Sequence, residues 1–265
     1  MLLRGESLSL SLGGRPVLRD VNLEIRDILR PGLTQGQIVG LLGPSGMGKT
    51  RLFRILAGLD EPDSGRVLIG EDQKPVERGM VGVVAQQYPL FQHRTVMGNL
   101  LVAGRQAGLT GSTASDKAEN LLKRFGLEGE GGKFPSQLSG GMRQRVAIAQ
   151  QFMCSEHYLL MDEPFSGLDL NAIHAICEFI SEVAATDEKH TFIVVTHDVA
   201  AALEVSDTIW VLGRDRDEND QIIPGARIQQ TYNLIERGLA WQSDVANLPE
   251  FSEIMREIRA TFPRL

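Results

Sequence analysis

Cysteine is almost missing from this chain: Cys154 and Cys177 are the two present in 265 residues. A disulfide framework is therefore excluded, and a reducing compartment is expected. No apolar run approaches the roughly 20 residues that cross a bilayer. The opening Met1–Glu6 lacks the apolar core of a secretory signal, so neither membrane spanning nor secretion is expected. Aromatic residues make up only 6%, and none precedes Phe53. Positive charge is also short: 27 Lys and Arg against 34 Asp and Glu leave a net charge of −7. Such a chain has no surplus of cations for nucleic-acid phosphates, so no nucleic-acid partner is expected. What remains, 42% hydrophobic and 23% charged residues, is the balance of a globular protein with a sizeable core.

Short apolar runs recur at Ile38–Leu42, Val81–Ala85, Tyr158–Met161, Phe192–Val195 and Ile209–Leu212. Bounded by turn-formers or helical patterns, they read as buried strands of a mainly parallel sheet. Ser7–Leu12 alternates, turns at Gly13-Gly14 and continues as Val17–Ile25, the pattern of an antiparallel β region. Residues 92–150 offer no strand and read as a helical insertion, broken near 108–115 and 129–132, with Ala118, Leu121, Leu122 and Phe125 on one face. The charged run Arg214–Asp220 reads as a solvated hairpin tip. Phe251, Ile254, Met255, Ile258 and Phe262 form a helical stripe behind Pro249, expected to pack on its own domain.

Chemistry enters at Gly43-Pro44-Ser45-Gly46-Met47-Gly48-Lys49-Thr50, a phosphate-loop pattern between a strand and a helical pattern. Glycines 43, 46 and 48 let the backbone curl so that its N–H groups face phosphate oxygens, and the helix start adds the positive end of its dipole. Lys49 would bridge the β- and γ-phosphates, and the Thr50 hydroxyl would ligate Mg²⁺. A second constellation, Tyr158–Glu163, delivers two acids to the carboxyl end of a strand, where α/β folds bind ligands. There Asp162 would hold Mg²⁺ through water, and Glu163 is the candidate general base.

Leu138-Ser139-Gly140-Gly141-Met142-Arg143-Gln144-Arg145, lying between these two elements, makes the chain resemble the ATP-binding-cassette (ABC) ATPases, whose signature is LSGG. Gln86, with Gln87 as the alternative, resembles the family's Q-loop glutamine, Ser166–Asp169 its D-loop, and His197 its switch histidine. The resemblance covers roughly residues 5 to 215. It implies a P-loop NTPase (RecA-like) α/β core with an N-terminal antiparallel β subdomain and an inserted α-helical subdomain. A nucleotide-binding domain is expected over 1–220, its helical subdomain at about 92–150, and a C-terminal extension with an amphipathic helix over 221–265.

The resemblance further implies a head-to-tail dimer over two Mg·ATP. Each ATP would lie between the phosphate loop (Gly43, Pro44, Ser45, Gly46, Gly48, Lys49, Thr50) of one copy and Ser139, Gly140, Gly141 and Asp169 of the other. Glu163, His197 and Gln86 are the expected catalytic residues, and Thr50, Gln86 and Asp162 the Mg²⁺ ligands. A separate transmembrane permease is the implied partner, with a substrate-binding protein as a further one. The chain would then sit in the cytoplasm, peripheral on the inner face of the membrane. The LSGGMRQR variant resembles the nitrate, sulfonate and taurine importer ATPases, which leans toward import over export. Tyr88, Leu90 and Phe91 are either permease contacts or core, at even weight. A soluble ABC ATPase acting on nucleic acid, ribosomes or cluster assembly is the competing class.

Two departures stand out. Leu12 lies about where the family has an adenine-stacking aromatic, so weak, apolar base recognition is expected. An insertion is expected around Asp27–Gln35. His93, His157, His174 and His190 show no metal-ligand spacing and read as structural or surface residues.

Overall fold

Alternating and continuous apolar runs assemble here into a single sheet. The computed structural model describes residues 2–27, 36–155, 157–242 and 244–265. Beyond Asp27, the insertion expected around Asp27–Gln35 lies outside the described residues. The elements are β1 (Leu3–Leu12), β2 (Arg15–Ile25), β3 (Gln37–Leu42), α1 (Lys49–Leu56), β4 (Ser64–Ile69), β5 (Lys74–Pro75), β6 (Gly82–Val84), α2 (Val96–Gln106), α3 (Gly111–Arg124), α4 (Gly140–Cys154), β7 (Tyr158–Asp162), α5 (Leu170–Ala184), β8 (Thr191–Thr196), α6 (Val199–Val205), β9 (Thr208–Arg216), β10 (Ile222–Asn233) and α7 (Pro249–Thr261).

The strand order is β5-β4-β1-β2-β10-β9-β3-β8-β7-β6. Strands β9, β3, β8, β7 and β6 run parallel, and β3 and β8 at their centre are wholly buried, as strands covered on both faces are. Strands β1, β2, β4 and β5 pair antiparallel, and β1 and β2 largely alternate buried with exposed positions. The two halves meet where β10, antiparallel to β9, touches β2 at Ala226 and Leu18.

Register sets the site. Leu42 of β3 lies beside Thr196 of β8, and Asp162 of β7 lies beside Val195. The loops leaving β3, β7 and β8 therefore emerge side by side, at the carboxyl edge where open α/β sheets bind ligands. The parallel half carries α2, α3, α4 and α5 on one apolar cluster centred on Phe125, Phe152, Phe179 and Phe192. Ala118, Leu121, Leu122 and Phe125 all face it, as their spacing requires. Helix α4 runs to Cys154, past the expected limit of the helical insertion, and packs against β6.

Two expectations change. The segment from 221 onward begins with β10, a full member of the sheet, so it is no simple appendage. Its helix α7 does dock on the molecule itself, with Phe251, Ile254 and Ile258 buried against α6 and β9. The run Arg214–Asp220 is only partly a solvated tip: Asp215 lies within β9, paired with Arg19 and Arg227.

Candidate functional site

The loop from Gly43 to Thr50 leaves β3 and feeds α1. Gly48, which caps that helix, has φ 91°, and a Cβ there would meet Val17 Cγ1 at 2.8 Å. Only glycine fits both the left-handed backbone and the close approach to β2. Lys49 is 7% exposed. Its Nζ donates to the carbonyl oxygens of Gly43 at 2.7 Å and Pro44 at 3.2 Å, and lies 3.9 Å from Glu163 Oε1. Burial lowers its pKa, while Glu163 and Asp162 pull it back up.

Asp162 ends β7. Burial raises its pKa, and the neighbouring Glu163 charge adds to that rise; a hydrogen bond with Thr50 and the charge of Lys49 oppose it. Its Oδ1 is buried without a hydrogen-bond partner. An orphaned carboxylate oxygen beside a hydroxyl and a second acid is a hard-oxygen donor set that fits Mg²⁺. Thr50 and Asp162 are thus well matched to the ion that the phosphate loop implies.

Glu163 takes φ 49°, a left-handed conformation that costs a non-glycine residue on the order of 1–3 kcal/mol. Its backbone N–H still donates to Val195 O at 2.8 Å, so the strand pairing continues while the side chain turns toward the loops. Glu163 Oε2 lies 2.9 Å from His197 Nδ1 and 3.4 Å from Thr196 Oγ1. Thr196 is fully buried and also accepts from the Asp198 N–H, which fixes its hydroxyl. Sequence reasoning missed Thr196; its position one residue before His197 at a strand end was the available signal.

Lys49, Thr50, Asp162, Glu163 and His197 therefore converge. Gln86 is exposed, and its Nε2 donates to Ser166 Oγ at 3.0 Å, tying the end of β6 to the loop before α5. Ser139, Gly140 and Gly141 form the exposed start of α4, where Ser139 Oγ accepts from Met142 N at 3.3 Å. Asp169 is the exposed cap of α5, accepting from Ala172 N at 3.0 Å. Among the described residues, no hydrogen bond joins 139–141 or 169 to the phosphate loop.

The paired alternatives at 88–91 separate. Leu90 is 7% exposed and belongs to the core, the second of its two alternatives. Tyr88 hydrogen-bonds Pro164 O, and burial pushes its pKa up to about 12. Phe91 is 43% exposed, with its backbone N–H held by Asn99 Oδ1.

A sequence profile described as ABC transporter matches residues 28–166, just over half of the chain. The sulfate/thiosulfate import ATP-binding protein CysA of Synechocystis sp. is 38% identical over 216 residues, which are 80% of this chain and 58% of that protein. Its namesake from Gloeobacter violaceus is 40% identical over 218 residues, 80% of this chain and 60% of that protein. The chain thus spans about 60% of the length of these curated relatives. They are named for sulfate and thiosulfate, not for the nitrate, sulfonate and taurine subgroup that LSGGMRQR resembles. Among solved structures, cbiO1 from Clostridium perfringens, part of the cbiONQ transporter complex, superposes with TM-score 0.73 at 26% identity over 99% of this chain and 96% of that one. A dimeric bacterial ABC transporter cassette superposes with TM-score 0.68 at 26% identity, over 88% of this chain and 99% of that one.

Proposed function

This chain belongs to the ABC transporter family, and from that premise we propose that it is the ATP-hydrolysing subunit of a membrane importer. The observation that carries the reading is the convergence of Lys49, Asp162, Glu163 and His197 beside a phosphate loop. ATP binds with its phosphates on the loop amides, and Lys49 exchanges the Gly43 carbonyl for β- and γ-phosphate oxygens. Thr50 and Asp162 would hold Mg²⁺, with Gln86 reaching toward it from the end of β6, and the ion would offset charge on the phosphate oxygens. Glu163 Oε2 is occupied by His197, so Oε1 takes the proton of the attacking water. The water oxygen bonds to the γ-phosphorus as the bond to the β–γ bridging oxygen breaks, giving ADP and phosphate. His197 holds the Glu163 carboxylate and reaches the γ-phosphate.

Ser139, Gly140, Gly141 and Asp169 are exposed and engaged only locally, which supports a second copy as the other half of the site. In a head-to-tail dimer, the α4 start of one copy covers the ATP held by the other, so nucleotide completes the interface. Among the described residues, no helix is long and apolar enough to cross a membrane. As the import ATP-binding names of the relatives suggest, a separate permease is the partner that carries the solute and holds the chain at the inner membrane face. A substrate-binding protein completes such an importer. The names of the relatives and the LSGGMRQR variant share solutes bearing an oxyanion group, and we extend that class to this transporter.

The test is a Glu163→Gln variant, captured by affinity tag with ATP from detergent-solubilised membranes. Recovery of a polytopic membrane protein supports the reading. Recovery of soluble proteins, ribosomes or nucleic acid alone moves the chain to the soluble ABC class.

A further inference from the structure

The edge of the sheet opposite the phosphate loop carries a group of side chains that the nucleotide chemistry leaves unused. His157 precedes β7, Asp187 lies in the turn between α5 and β8, and His190 precedes β8. One ligand atom from each lies within 4.8 Å of the other two. Strand β7 is five residues long, which separates this group from Asp162 by about 17 Å. We propose that His157, Asp187 and His190 bind one divalent transition-metal ion of the zinc type.

Three observations support this. His190 is 3% exposed, wedged against Phe152 and Phe192. Its Nδ1 lies 3.0 Å from Val183 O, and a carbonyl only accepts, so Nδ1 carries the hydrogen and Nε2 keeps its lone pair. Orientation of an imidazole by a backbone carbonyl is the arrangement that metal-bound histidines adopt. Burial also lowers the His190 pKa, which keeps the ring neutral, as a ligand must be.

The second observation is His157 Nδ1, which is buried without a hydrogen-bond partner and lies 4.0 Å from Asp187 Oδ2. An orphaned ring nitrogen costs free energy that a cation between it and the carboxylate would recover. The third is the turn itself. Asp187 Oδ1 accepts from Lys189 N at 2.9 Å and its carbonyl from His190 N at 3.1 Å, so the carboxylate is held by its own turn.

Two imidazoles and one carboxylate favour Zn²⁺, Co²⁺ or Ni²⁺ over Mg²⁺ or Ca²⁺, with water filling the remaining positions. Metal–ligand bonds of about 2.0–2.2 Å require the donors to draw together by roughly 1 Å. The side chain of His157, 35% exposed, makes most of that movement, toward a carboxylate held by its turn and a fixed His190. Arg124 bonds Thr186 and Val183 beside the group and interacts with the Asp187 charge. This neighbouring cation weakens the site, so micromolar affinity is expected. Bound metal would pin the turn after α5 to the start of β7.

The experiment is calorimetric titration of Zn²⁺ into chelator-stripped protein without a polyhistidine tag, with Co²⁺ absorption as the spectroscopic probe. One ion per chain is expected. Affinity should fall at least tenfold in His157→Ala and in Asp187→Asn, and stay unchanged in His174→Ala, whose partner is Glu204. Both exposed-side variants leave the Phe152–His190–Phe192 packing intact, so they should keep the wild-type circular dichroism and melting profile. No stoichiometric uptake at 100 µM Zn²⁺, or uptake unaltered in both variants, overturns the proposal.

Discussion

The Nδ1 of His197 lies 2.9 Å from Oε2 of Glu163, across the boundary between β8 and β7. The two residues follow neighbouring parallel strands whose register sets Asp162 beside Val195, so the pairing is a product of topology. Replacing His197 with Ala frees the carboxylate to rotate. Steady-state hydrolysis should fall by about 10²–10³-fold, while nucleotide affinity by fluorescence titration changes only a few-fold. A loss of affinity equal to the loss of rate would make His197 a binding residue only.

Asp162 gives a prediction whose sign depends on ligand. Its folded pKa is raised above the unfolded value of about 3.9, so the folded chain holds the proton more tightly. The group's contribution to stability is therefore present at low pH and lost as pH rises through the folded pKa. In nucleotide-free protein at pH 7, Asp162→Asn should raise the melting temperature by a few degrees. With saturating Mg·ATP the order should reverse, because the wild type alone gains the full binding energy. Differential scanning fluorimetry with and without Mg·ATP checks both signs.

Base recognition should be weak. No aromatic precedes Phe53, Leu12 is exposed, and Val17 already packs against Gly48. A base stacked on an aromatic ring gains about 1–3 kcal/mol, and that contribution has no donor in this strand region. Competition binding should give ATP and GTP dissociation constants within about tenfold of each other. A hundredfold preference for ATP would contradict this.

Leu90 and Phe91 should behave oppositely although adjacent. Leu90→Ala removes a core side chain and should cost about 2–5 kcal/mol of stability. Phe91→Ala touches an exposed ring and should cost less than about 0.5 kcal/mol. If Phe91 meets the permease, its loss should abolish transport in reconstituted vesicles and spare the basal ATPase. Chemical denaturation and vesicle uptake separate the two.

Much of this was readable from residue order alone. Gly43–Thr50 and Asp162 directly follow apolar runs, and Glu163 and His197 come one residue later, so strand ends could be located without knowing which strands pair. Strand β10 was not readable, because Pro224 and Gly225 interrupt its pattern; the sheet absorbs them in a register shift between Ile222 and Ala226. Strand β4 escaped because only its last half is buried. The His157–Asp187–His190 group was hidden too, since a whole helix separates His157 from the other two and only the parallel pairing of β7 with β8 closes the gap. The Gln86–Ser166 bond spans 80 residues for the same reason.

The account rests on a nucleotide site that two copies complete, and sedimentation of the Glu163→Gln variant tests that most directly. It should sediment as a monomer without nucleotide and as a dimer with Mg·ATP, and a further Ser139→Arg substitution should return it to monomer. A variant that stays monomeric with saturating Mg·ATP, or that still hydrolyses ATP at the wild-type rate, would contradict the account.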